Sequence, residues 1–268
     1  MKKLMRYLLL ILGTLLVINL FIVPLYEPSL IYFPAREIGR DPGSIGLAYE
    51  DVYIRTEDGV KINGWFVKNN DSNKVILLFH GNGGNISHRL PLIKLLYDLP
   101  ANIFIIDYHG YGRSEGKPSE QNLYLDARAS YDHLIDQKKY QPEQIIVMGS
   151  SLGGAVATEL AVSRKIGGLV LLRSFTSVPA MAPRLNPLYR WPIIWPRSKF
   201  DSLARISRIK APLLIVHSKE DEMIPCRMSV SLYEKALQPK KLLLLEKGGH
   251  NDLYATPEYV RSLRKILK

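Results

Sequence analysis

The 268-residue chain predicts an α/β fold: a mostly parallel eight-stranded sheet with helices on both faces, preceded by an N-terminal transmembrane helix. Three observations carry this. Apolar runs of strand length alternate with helix-length runs through most of the chain, Glu57-Asp58-Gly59 marks a hairpin near the start of the series, and Tyr7 to Tyr26 passes twenty residues without a charge. Removing the N-terminal segment leaves about 240 residues, a usual size for one domain with a sizeable core.

Lys2, Lys3 and Arg6 precede the uncharged run. As a helix rising 1.5 Å per residue, twenty residues span about the 30 Å hydrocarbon core of a bilayer. A membrane anchor over 1–27 is expected, followed by a folded domain over 28–268. The competing reading, a cleaved signal peptide, lacks a following A-x-A-like site and has a shorter apolar core. The preceding cations favour a cytoplasmic N-terminus, which puts the folded domain on the translocated side, periplasmic, extracytoplasmic or lumenal. Arg36 and Arg40 beyond the run reduce that asymmetry.

Strands are expected near 49–55, 60–68, 74–79, 101–107, 144–149, 168–174, 212–217 and 241–245, and helices near 87–98, 119–137, 152–164, 228–236 and 257–267. The hairpin signal makes the first two strands antiparallel. The alternation breaks once, over 175–204, where Pro179, Pro183, Pro187, Pro192 and Pro196 fall among Tyr189, Trp191, Trp195 and Phe200 with no regular period. An excursion of that length inside a compact domain reads as a lid or cap, with passive packing as the competing reading. Trp191, Pro192, Ile193, Ile194 and Trp195 are expected to give it an apolar wall, with Trp191 and Trp195 binding substrate.

Gly149-Ser150-Ser151-Leu152-Gly153 lies between the apolar run Gln144 to Met148 and the helix-forming run Gly154 to Arg164. The pentapeptide alone is a weak pattern; its strand, turn and helix context makes Ser151 a candidate nucleophile. A serine hydroxyl needs a base and an acid that fixes the tautomer of that base. Asp221 follows the strand Pro212 to His217, and His250 follows the strand Lys241 to Leu245, so both sit past carboxyl ends of strands, where open α/β sheets place their chemistry. The backbone N–H groups of Leu152 and of Asn82, in the loop His80-Gly81-Asn82-Gly83-Gly84-Asn85, are assigned to an oxyanion hole. Read as a phosphate cradle, that loop lacks a G-K-[ST] ending and has Ile86 where a last glycine is required.

These residues resemble the α/β-hydrolase superfamily, and within it the Bem46-like serine hydrolases. The matching stretches are His80 to Leu90, Asp107 to Gly116, the turn at Ser151, Asp221 to Pro225 and Gly248 to Asn251, and the resemblance runs from about residue 28 to the C-terminus. It implies an α/β-hydrolase fold with Ser151 as nucleophile, His250 as base and Asp221 as orienting acid. Three positions depart from the family pattern: His109 replaces a usual arginine, Arg173 stands where an acidic residue is common, and Ser218 replaces a glycine.

The expected function is a membrane-anchored serine hydrolase of carboxylic esters or thioesters, working through an acyl-enzyme on a lipid-like or acylated substrate. The same groups also serve an amide hydrolase or an acyltransferase, while a non-catalytic binding protein of this fold has no need of all three. No cofactor is expected. His88, His109, His133 and His217 form no metal-ligand motif, so no metal is expected, and His80 reads as structural beneath the oxyanion loop. Cys226 is the single cysteine and reads as incidental. The net charge is +11, of which Lys2, Lys3 and Arg6 supply +3, and Arg197, Lys199, Arg205, Arg208 and Lys210 group around the excursion. A solvated basic face or attraction to anionic lipid headgroups accounts for that charge, and no nucleic-acid module accompanies it.

Overall fold

The computed structural model describes residues 2–69, 72–191, 194–252 and 256–267. The chain begins with α1 (Lys2–Val17), a π-helical stretch (Ile18–Ile22) and α2 (Val23–Ile31), which run on as one helix of 30 residues whose most apolar 18-residue stretch has a mean hydropathy of 2.7. By length and composition it can cross a membrane, and most of its large apolar side chains from Leu4 to Tyr26 face outward. It extends past the expected Tyr26, through Pro24 and Pro28, and stops where Tyr32 turns extended.

The folded domain continues through β1 (Phe33–Pro34), β2 (Tyr49–Arg55), β3 (Lys61–Val67), β4 (Val75–Phe79), β5 (Gly83–Gly84), α3 (Leu90–Tyr97) and β6 (Asn102–Ile106). It is completed by α4 (Glu120–Asp136), β7 (Ile145–Ser150), α5 (Leu152–Ser163), β8 (Gly168–Leu172), α6 (Val178–Leu185), α7 (Ser202–Arg205), β9 (Leu213–Ser218), α8 (Arg227–Lys235), β10 (Lys240–Leu245) and α9 (Pro257–Ile266). The main sheet has eight strands in the order β10-β9-β8-β7-β4-β6-β3-β2. The pairs β2–β3 and β3–β6 are antiparallel and the others parallel, so the expected antiparallel start is found.

Apolar runs such as Val75-Ile-Leu-Leu-Phe79 make central strands because every side chain finds cover on one face or the other. One face packs α4, α5 and α8 around Phe79, Phe104 and Val147; the other packs α3 and α9 around Ile76, Ile105 and Met148. From β4 the chain first builds outward to β6 and then returns to β7 on the opposite side. That reversal opens a crevice beyond the carboxyl ends of β4 and β7, into which the 80–85 loop and Ser151 both emerge.

Two features were not legible in the sequence pattern. Strand β1 pairs in parallel with β5, Phe33 opposite Gly83, so the exit from α2 is stitched to the loop after β4. The excursion also contains helical structure, with α6 and a 3-10 turn, Pro187–Arg190. Its tail is held by two carboxylates. Glu27 of α2 accepts the amides of Arg197 and Ser198 at 2.6 and 2.7 Å, and Glu120 of α4 accepts those of Lys199 and Phe200 at 2.6 and 2.7 Å. Pro192 and Ile193 of the expected apolar wall lie outside the described residues.

The turn from β7 into α5 is packed so closely that only glycine fits around it. A Cβ on Gly149 would stand 2.1 Å from the carbonyl oxygen of Gly153, and one on Gly153 would stand 2.1 Å from that of Phe79. Gly153→Ala is therefore expected to cost about 3 kcal/mol through backbone overpacking, lowering Tm by about 6–12 °C. Gly83→Ala, whose Cβ meets nothing within 4 Å, should melt within about 2 °C of the unsubstituted protein. Thermal unfolding of the pair checks this, and a Gly153→Ala protein that melts with the parent contradicts it.

Candidate active site

Ser151 caps the N-terminus of α5 with φ 54° and ψ −118°, a conformation that L-residues rarely adopt. It is fixed there by the donation of its amide to the carbonyl of Leu172 at 2.9 Å. The strain lifts the hydroxyl out of the end of the sheet, toward the loop after β10. His250 in that loop brings its Nε2 to 3.1 Å from Ser151 Oγ, and its Nδ1 lies 2.8 Å from Oδ2 of Asp221. The three sequence-predicted side chains, scattered over a hundred residues, are thus joined in one hydrogen-bonded chain.

Asp221 is held from all sides. Its Oδ1 accepts the amides of Met223 and Ile224 at 2.9 and 2.8 Å, and its Oδ2 faces both His250 and, at 3.1 Å, Nε2 of His217. Burial alone would raise its pKa, but the hydrogen bonds from His217, His250 and the Ile224 amide outweigh burial and hold the carboxyl well below the usual carboxylate range. It stays ionised and acceptor-only, which fixes His250 with its proton on Nδ1 and its Nε2 lone pair toward Ser151. An imidazole in that state can take the hydroxyl proton.

The flanking acids have work of their own. Glu222 accepts the amide of His250 at 3.0 Å, and Glu220 accepts that of Gly248 at 3.3 Å. Of three successive carboxylates, one faces the imidazole and its two neighbours hold the imidazole's loop. Sequence reasoning missed this, and it saw in His217 only a histidine outside any metal-ligand motif. His217 is fully buried at the end of β9, donating Nε2–H toward Asp221 and the Ile224 carbonyl while Ser229 Oγ lies 2.7 Å from its Nδ1. Its position four residues before Asp221 was the available signal.

Asn82 is strapped in place. Its carbonyl accepts Phe33 N–H at 3.0 Å and the Tyr111 hydroxyl at 2.7 Å, and its Nδ2 donates to the Ile31 carbonyl at 2.9 Å. Its own amide has no acceptor among the described residues. Leu152 is the first residue of α5, where the helix offers its N–H no partner. Both amides belong to residues that border the cavity above Ser151. Beneath the loop, His80 is buried against Tyr108 and Tyr111, and burial lowers its pKa.

Two cavities meet over Ser151, sharing Asn82 and Met223. One, of ≈ 460 Å³, is walled by Leu30, Ile31, Phe175, Val178, Met181 and Leu185. The other, of ≈ 470 Å³, holds His250, Asn251, His88, Arg89 and Arg173. This corrects the expected wall: Trp191 and Trp195 border neither cavity and stand 63% and 59% exposed. The excursion's apolar side chains toward Ser151 come instead from the turn of α6, because its helical spacing turns Val178, Met181 and Leu185 the same way. Trp195 lies beside the N-terminal helix, its amide 3.4 Å from Oδ1 of Asn19. His109, one of the three departures, is a strut remote from these cavities: Nδ1 lies 2.5 Å from Oδ1 of Asp126 and Nε2 3.3 Å from Asp58. Burial opposes charge on that ring, but the Asp126 hydrogen bond and the two carboxylates raise its pKa overall.

A carboxyl whose pKa is depressed by folding adds stability only where the unfolded chain is ionised. The stability gap between the parent and Asp221→Asn is therefore expected to be full above the ordinary value of 3.8 and to shrink as the pH falls below it. Urea unfolding at neutral pH and at about pH 3 should show the gap narrowing by about 1 kcal/mol. A gap that stays constant, or widens in acid, contradicts the assignment of Asp221 as a tightly hydrogen-bonded carboxylate.

Residues 70–203 match a family model described as serine aminopeptidase, S33, which takes in the turn at Ser151 and stops short of Asp221 and His250. Protein WAV2 of Arabidopsis thaliana, an α/β hydrolase domain-containing protein, is 33% identical over 246 residues, covering 84% of this chain and 80% of its own. Protein bem46 of Schizosaccharomyces pombe is 32% identical over 261 residues, covering 90% and 86%. Among solved structures, the esterase Pf2001 of Pyrococcus furiosus superposes with a TM-score of 0.74 at 24% identity, over 88% of this chain and 98% of that one, a likeness of fold. With the sheet order, the turn at Ser151 and two relatives above 30% identity over most of their length, the chain belongs to the Bem46-like α/β hydrolases.

Proposed function

We propose that the protein is a membrane-anchored serine hydrolase that cleaves carboxylic esters or thioesters through an acyl-enzyme. The observation that carries this reading is the relay from Ser151 Oγ to His250 Nε2 at 3.1 Å and from His250 Nδ1 to Asp221 at 2.8 Å. His250 takes the hydroxyl proton as Ser151 Oγ bonds to the acyl carbon, and the charge that develops on the carbonyl oxygen is met by the amides of Leu152 and Asn82. Collapse breaks the bond to the alcohol or thiol, which leaves with the proton from His250. Water, deprotonated by the same imidazole, then releases the acid.

The acyl chain lies in the cavity walled by Leu30, Ile31, Phe175, Val178, Met181 and Leu185. Two of those walls belong to the end of α2, so the same helix that anchors the chain also lines the site. Lys2, Lys3 and Arg6 favour a cytoplasmic N-terminus and a catalytic domain on the translocated side. The aminopeptidase description of the matching family suits this chain less well. A substrate's free amino group calls for carboxylates, whereas the two cavities hold Arg184, Arg190, Arg89 and Arg173 against Glu222 alone among the described residues.

Ser151→Ala is expected to abolish labelling by a fluorophosphonate and to lower kcat by several orders of magnitude, while Ser150→Ala keeps substantial labelling. Across p-nitrophenyl esters, kcat/KM should climb with acyl length by up to ~0.8 kcal/mol per methylene, roughly fourfold. Val178→Trp, which fills the acyl cavity, should shift the optimum toward short chains. Labelling that survives Ser151→Ala removes the nucleophile assignment; a profile flat beyond acetate in both proteins removes the acyl cavity.

A further inference from the structure

Arg89 and Arg173 both border the cavity that contains Ser151 and His250. Neither has a carboxylate oxygen within 4.0 Å among the described residues, whereas Arg113, Arg128 and Arg164 each do. Arg173 spends one N–H on the carbonyl of Asp252 at 2.6 Å, and Arg89 donates from Nη2 to the carbonyl of Gly83 while its buried Nε has no partner. Burial lowers the pKa of both, with Asp107 near Arg89 and Asp221, Asp252 and Glu222 near Arg173 partly offsetting it, and the charge of Arg173 lowers Arg89 further. Two half-buried guanidinium groups that repel one another across one cavity are an arrangement completed by an anion.

The chain goes out of its way to place them. Arg173 directly follows β8 with φ 49°, a left-handed conformation that costs a non-glycine residue. Position also tells which half of the substrate they meet. The leaving alcohol must take its proton from His250, and His250 borders this cavity and not the apolar one. The acyl cavity has apolar walls at Leu30, Ile31, Val178 and Met181, with Arg184 and Arg190 also on its border.

Building on the serine hydrolase reading, the geometry points to a leaving-group subsite at Arg89 and Arg173 for an oxyanion, so that the substrate is an acyl ester whose alcohol carries a phosphate or a carboxylate. Guanidinium forks hold either group by paired N–H donors. The reaction stays a hydrolysis: water is added, the acid and the anionic alcohol are released.

The test uses the full chain in neutral detergent and three substrates with one acyl chain: a monoacylglycerol, the matching acylglycerol phosphate and an O-acyl hydroxy acid. The reading is the ratio of kcat/KM for each anionic ester to that for the neutral one, taken within each protein so that any general loss cancels. The unsubstituted protein should prefer at least one anionic ester roughly ten- to a hundredfold, and which of the two is preferred separates phosphate from carboxylate. Arg173→Met should bring that ratio near one, and Arg173→Lys should retain part of it. Glycerol phosphate should compete with a p-nitrophenyl ester in the unsubstituted protein where glycerol does not. Ratios at or below one for both anionic esters, or a preference unchanged in both Arg173→Met and Arg89→Met, overturn the subsite while turnover of the neutral ester keeps the hydrolase reading intact. Loss of all turnover and of Ser151 labelling in the unsubstituted protein overturns the hydrolase reading itself.

Discussion

Ser151 holds a backbone conformation that a free chain would leave at once, and much of the domain exists to keep it there. β7 delivers the residue, α5 receives it, and Gly149, Gly153 and Gly154 let strand, helix and the ends of β4 and β8 approach to distances that any Cβ would forbid. The amide of Ser151 is tied to Leu172, and Ser174 Oγ fills the space against Gly154. Strain of order 1–3 kcal/mol at one residue is small against a core in which β4, β6 and β8 are buried along their whole length. Because that turn is rigid, the hydroxyl has a fixed address, and every other group proposed for the chemistry is positioned against it.

A second constraint comes from the N-terminal helix. A tether would need no contact with the end of the sheet that carries Ser151, yet the segment leaving α2 is built into it: Ile31 and Phe33 hold Asn82, the carbonyl of Ala35 accepts Nδ2 of Asn85, and Glu27 binds the tail of the excursion through two amides. The loop proposed to receive the oxyanion and the lid proposed to cover the acyl chain are therefore both anchored on residues next to the apolar helix. The proposed anchor and the proposed site share parts, which supports the reading of a substrate met at a membrane surface.

The parts legible in the sequence were those with local causes. The alternation of apolar runs with helices, the hairpin at Glu57-Asp58-Gly59 and the glycines around Ser151 act within a few residues of themselves, and the observed elements fall within a residue or two of most expected bounds. Asp221 and His250 were legible through their position after strands. What stayed hidden was made by long-range contact. The pairing of β1 with β5 involves two-residue strands that have no periodicity to read, and the division of labour among Glu220, Asp221 and Glu222 depends on where a loop thirty residues later comes to rest. Trp191 and Trp195 looked like pocket walls because large apolar residues usually seek cover. Both stand exposed instead, Trp195 with its amide beside Asn19 of the equally exposed apolar helix.

The central claim is that an acyl group is carried on Ser151 during turnover. The most direct measurement is rapid acid quench of the full chain with a long-chain p-nitrophenyl ester in excess, followed by peptide mapping. The account predicts a burst of p-nitrophenol approaching one per chain wherever deacylation is the slower step. It also predicts an acyl mass on the peptide that contains Gly149 to Gly153, localised to Ser151. An acyl group found on any other residue, or steady turnover with no acyl mass on that peptide under conditions where the burst is seen, would contradict it.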